Sequence, residues 1–140
     1  MSRFLASEEF AQALKLGQKE FKEASSAGKQ LHPLVLEEIL PGDLLESVVD
    51  VGLVEIPAER IIGVKTAGRV TAFSANFRPL LGQKTEFGVK WISLCEAHLG
   101  EKGITDPILC YEYLGNFYVQ EGNKRVSVLR HFEPRRFRAM

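Results

Sequence analysis

Phe117-Tyr118-Val119-Gln120-Glu121-Gly122-Asn123-Lys124-Arg125-Val126-Ser127-Val128-Leu129-Arg130-His131-Phe132 changes hydrophobic period halfway along. Phe117 and Val119 alternate with Tyr118 and Gln120, the period-two pattern of a strand. Val126, Leu129 and Phe132 then recur at helical spacing, and Gly122 between the two patterns permits a tight turn. The stretch predicts a strand, a glycine turn and a helix with Lys124 and Arg125 in its first turn. A helix start offers unpaired N–H groups and the positive end of the helix dipole to an anion. Cations there oppose the usual preference for acids, an arrangement that a phosphate-like ligand would neutralise. A solvated turn carrying surface charges is the plain alternative.

Working back from this stretch, residues 107–113 and 117–120 pattern as a hairpin around Gly115-Asn116. Thr85 to Leu99 predicts a helix with Thr85 as cap, Phe87, Trp91, Leu94 and His98 on one stripe, and Gly100 closing it. His98 on that stripe reads as a packed histidine. Val48 to Ile56 is the first strong strand candidate, ended by Pro57. Between them, residues 63–81 mix glycines and hydroxyls with Lys65, Arg69 and Arg78. Such a segment either lines a phosphate or carboxylate site or forms a flexible surface loop. Pro33 to Gly42 reads as an apolar connector. Near the start, Ser7 followed by Glu8 and Glu9 predicts a helix start, with Phe10, Leu14 and Phe21 on one face and a stop near Gly28. That helix is expected to serve as a docking or interaction arm, with a core-packed helix as the alternative.

The 140 residues suit one domain with a core that needs no disulfides. Hydrophobic content of 45% and charged content of 26% are ordinary for soluble chains. Formal net charge is zero, which gives no overall electrostatic case for nucleic acid. Any DNA contact is expected to be weak and centred on the basic end, where Lys124, Arg125, Arg130, Arg135, Arg136 and Arg138 face only Glu133. Cys95 and Cys110 have no metal-like spacing to the histidines and read as reduced core thiols. No run approaches signal-peptide or membrane-span length, so a cytoplasmic protein without a membrane partner is expected.

Residues 115–127 resemble the glycine–arginine box of the ParB/sulfiredoxin superfamily, Gly122-Asn123-Lys124-Arg125 standing for its Gly-Glu-Arg-Arg. Asp106 to Tyr111 resembles the family's Pro-Ile-x-Val strand, and Val54 to Ile61 its opening Val-x-Ile-Pro strand and turn. The chain also resembles an uncharacterised bacterial branch in which Glu121 to Leu129, Gly63 to Arg69 and Phe77 to Leu81 recur together. The resemblance implies an α+β domain with a small mixed sheet and packed helices over residues 48–132. An N-terminal helix and connector over 1–47 would precede it, and a basic, shortened tail without strand pattern over 133–140 would follow.

It further implies a nucleotide or phosphate ligand, with CTP, ATP or ADP and magnesium as the cofactors, and a regulatory or DNA-associated role. Gly122, Asn123, Lys124, Arg125 and Ser127 would form the site, with Lys65, Arg69 and Arg78 closing it from the loop. Arg125 is expected to hold phosphate through a bidentate contact, with an ion pair to Glu55 or Glu121 as its structural alternative. Asn123 stands where sulfiredoxins carry their catalytic cysteine, which argues against sulfinic-acid reduction. Partitioning members carry glutamate there, and an asparagine cannot replace it as a base. Two rival functions remain: a small-molecule phosphotransferase with Glu55 as the base, and a protein-interaction module that binds no ligand. No metal-ligand cluster is expected.

Overall fold

The stripe that binds the first helix to the rest of the chain is made largely of small residues. The computed structural model describes residues 2–40, 51–100, 103, 107–132 and 136–139. Helix α1 spans Ser2–Ser26, and its Ala6, Phe10 and Ala13 are fully buried. Four residues beyond Ala13, a Cβ on Gly17 would lie 2.2 Å from the carbonyl oxygen of Pro79, so only glycine permits this contact. The helix begins before the expected cap at Ser7. It belongs to the central core instead of forming a docking arm. It ends as expected, with the Lys29 N–H donating to Ala24 O at 2.8 Å.

The connector at 33–42 contains structure that its prolines obscured. Strand β1 (Leu34–Val35) leads directly into the short helix α2 (Leu36–Ile39). Residues 41–50, which include the proposed boundary at 47/48 and the first part of the expected strand, lie outside the described residues. Strand β2 covers Val54–Pro57, so Pro57 ends that strand from within. A single 3-10 turn follows, then strand β3 (Ile61–Val64), at the start of what had read as loop.

Helix α3 (Glu86–Leu99) matches its sequence signals closely. Thr85 Oγ1 accepts the Gly88 N–H at 3.0 Å, and Gly100 follows the last turn. Phe87 and Trp91 are buried on the expected stripe, with Leu94 and His98 half-buried. The hairpin forms from β4 (Leu109–Tyr113) and β5 (Asn116–Glu121). Its turn is Leu114-Gly115, one residue earlier than expected, and both residues have positive φ. Helix α4 (Asn123–His131) starts immediately after Gly122.

The main sheet has the order β1-β3-β5-β4, with β1, β3 and β5 parallel and β4 antiparallel to β5. Phe10 meets Trp91 edge-on at 5.2 Å, and the Trp91 indole donates to Ser127 Oγ of α4 at 2.9 Å. These contacts join α1, α3 and α4 in one core. The fold is therefore α+β, with a small mixed sheet and packed helices.

The chain's end corrects another expectation. Strand β6 (Arg136–Ala139) pairs antiparallel with β2, from Val54↔Ala139 to Pro57↔Arg136. Pro134, expected to stop the preceding helix, lies outside the described residues.

Candidate functional site

The turn between β5 and α4 depends on Gly122, whose φ of 109° lies in the left-handed region. A Cβ there would also sit 2.9 Å from Ile108 Cγ2, so both conformation and space favour glycine. The first intrahelical bond runs from Val126 N–H to Gly122 O at 2.9 Å. The N–H groups of Asn123, Lys124 and Arg125 precede it and have no acceptor within the helix. Gly122 provides no side-chain cap. These residues, with Glu121 and Lys90, line an open cavity of about 540 Å³.

Two features of this cavity are unfavourable in the free protein. Asn123 Oδ1 is buried and has no hydrogen-bond partner among the described residues, a condition that typically costs about 1–3 kcal/mol. Around Lys124, burial and the nearby charges of Arg69 and Lys90 hold the ammonium below the ordinary lysine pKa, while Glu86 opposes the shift. Glu86 itself is bridged by Lys90 at 2.9 Å. Lys90 chiefly, and Arg69 less, hold the Glu86 carboxyl below its ordinary range. Lys90, Arg69 and Lys124 thus lie near Glu86, with Glu121 as a second acid on the cavity, at a helix end whose dipole is also positive. Lys124 Nζ lies over the Phe87 ring, 5.8 Å from its centre.

Gly122, Asn123, Lys124 and Arg125 are brought together as expected, and Arg69 comes close enough to affect Lys124. Arg125 is already partly engaged, donating from Nη1 to Pro107 O at 2.9 Å and curling over Gly122. Among the described residues it forms no ion pair with Glu55 or Glu121. Ser127 is buried and accepts the Trp91 indole N–H, so its hydroxyl serves the core. Lys65 extends over the Tyr111 ring at 5.1 Å. Arg78 pairs with Glu20 of α1 at 3.5 Å and lines a different cavity. Glu55 is exposed on β2 and lines neither cavity.

Sequence reasoning missed Glu86 and Lys90. Their i,i+4 spacing at the start of a predicted helix was visible, but their approach to Lys124 depends on how α3 packs against α4.

Burial pushes the Cys95 thiol up to about 11, aided by the Glu9 carboxylate, and the Cys110 thiol up to about 12. Both are free. Among the described residues, no three His, Cys, Asp or Glu side chains converge to hold a metal, and no helix is long and apolar enough to cross a membrane. Compared with protein-family models, with curated proteins and with solved structures, the chain matches none.

Proposed function

We propose that this chain binds a nucleotide or a related phosphate ligand at the start of α4, in a cytoplasmic regulatory or DNA-associated role. The observation that carries this reading is a helix start without a side-chain cap, opening on a cavity lined by Lys90, Lys124 and Arg125 with Glu121 as its acid. A phosphate group would accept from the free N–H groups of residues 123–125 and relieve the repulsion among the cations. Asn123 Oδ1 is an acceptor, so it needs a donor. A ribose hydroxyl or a base amino group of a nucleotide provides one, as does a protonated phosphate oxygen. Glu121 offers hard oxygen atoms on the cavity wall, of the type magnesium uses alongside substrate phosphates.

The test is a thermal-shift panel of CTP, ATP and ADP, with and without magnesium. A ligand specific for the folded state adds about 2.7 kcal/mol of apparent stability at a hundredfold excess over its Kd. At least one nucleotide is expected to raise Tm more than inorganic phosphate does. No shift with any nucleotide under either condition would overturn the reading.

A further inference from the structure

The last turns of α4 face a second, larger cavity of about 760 Å³, walled by α1, the turn at 58–59 and residues 76–79. Its walls are built closely. Gly17 lets the Pro79 backbone lie against α1. Glu20 holds the opposite wall, accepting from Ser74 Oγ at 2.7 Å and from both the N–H and the side-chain amide of Asn76 at 3.2 Å. Phe77 is fully buried with φ of 63°, a conformation that costs a bulky residue energy and persists only when its surroundings enforce it.

Two guanidinium groups reach this space. Arg78 directs its Nε toward Glu20 at 3.5 Å, and its outer N–H groups have no hydrogen-bond partner among the described residues. Arg130 donates one N–H to Ile61 O at 3.1 Å and has no acid within ion-pair distance among the described residues. Burial and Arg78 both act against its charge, and Glu20 partly offsets them. The acids that line the cavity are Glu9, which lies 3.5 Å from His131 Nε2, and Glu59. Leu16, Ala58, Phe77 and Phe132 supply an apolar lining.

We propose that this cavity binds a small monocarboxylate with an apolar, ring-sized body, its carboxylate held between Arg130 and Arg78. A planar carboxylate fits the guanidinium's fork of donors. Glu9, Glu20 and Glu59 repel a dianionic phosphate more strongly than a monocarboxylate. The volume lies within the usual range for small-molecule sites. This site is separate from the one at the start of α4.

Calorimetric titration with phenylacetate, phenylacetamide and inorganic phosphate tests the proposal. Phenylacetate is expected to bind at least about tenfold tighter than the uncharged amide, as expected for a charge-assisted contact. Arg130→Gln should weaken phenylacetate roughly ten- to a hundredfold. Because Arg130 also supports Ile61, Arg78→Gln and Leu16→Trp provide independent tests. The first removes the second guanidinium; the second fills the cavity without removing either charge. Both should weaken phenylacetate, whereas Lys124→Gln should not. Equal affinity for phenylacetate and its amide, tighter binding of phosphate, or unchanged binding in both Arg78→Gln and Leu16→Trp would overturn the proposal.

Discussion

The start of α4 and the segment 63–81 carry the same kind of sequence signal, glycines beside cations, but the fold uses them differently. At α4, Gly122 makes the turn and Lys124 remains poorly compensated. In 63–81 the cations separate. Lys65 lies over Tyr111, Arg69 leans toward Lys124, and Arg78 joins Glu20 at another cavity. The segment's main contribution is apolar, with Phe73 and Phe77 fully buried. A cluster of cations along the chain marks a site only where the fold keeps the charges together.

The largest expected effect lies in the segment 63–81, for which a flexible surface loop was the alternative reading. Phe77→Ala should cost about 3–5 kcal/mol, the usual range for emptying a buried aromatic site, measured by urea denaturation. A change within about 0.5 kcal/mol, typical of surface substitutions, would restore the loop reading. At α4 the effect should instead fall on binding. Lys124→Gln should weaken the selected nucleotide by ~1.5–3 kcal/mol, roughly ten- to a hundredfold. Its folding stability should be unchanged or slightly higher, because a repelled charge is removed. A folded variant with wild-type affinity would place the ligand elsewhere.

How far the sequence could be read depended on how local each signal was. Thr85, Gly100 and the stripe of α3 are local, as is the period change at Gly122, and these elements were legible. The core role of α1 was not. Its contact stripe uses Ala6, Ala13 and Gly17, which carry little hydrophobic signal and work through close approach. Strand β1 has only two residues, too few to show a period. Strand β6 was hidden by alternating arginines, and its pairing partner β2 lies some eighty residues earlier. At the site, Gly122, Asn123, Lys124 and Arg125 were legible together. The grouping of Glu86, Lys90 and Arg69 around Lys124 required the packing of separate elements.

Ser127 separates the core from the site within one helix. Ser127→Ala should leave the buried Trp91 N–H without an acceptor and cost about 1–3 kcal/mol. Nucleotide affinity in the folded variant should be unchanged; a selective loss of affinity would return Ser127 to the site.

The effect of the thiols appears only at alkaline pH. Free thiols ionise near pH ~8.5, whereas Cys95 and Cys110 in the fold hold their protons up to about 11 and about 12. Above pH ~8.5 the unfolded chain therefore binds fewer protons, so stability falls as the pH rises toward the folded values. Their contribution is intact below that window. Replacing both cysteines with Ala should flatten the decline in Tm from pH 8.5 to 11, and an equally steep decline would remove them as its cause.

The most direct test of the central claim is an amide NMR titration with the nucleotide selected by thermal shift. The N–H resonances of Asn123, Lys124 and Arg125 are predicted to shift most and to saturate together, with the Asn123 side-chain amide following them. Saturable shifts confined to other parts of the chain, or no shifts at saturating nucleotide, would contradict binding at the start of α4.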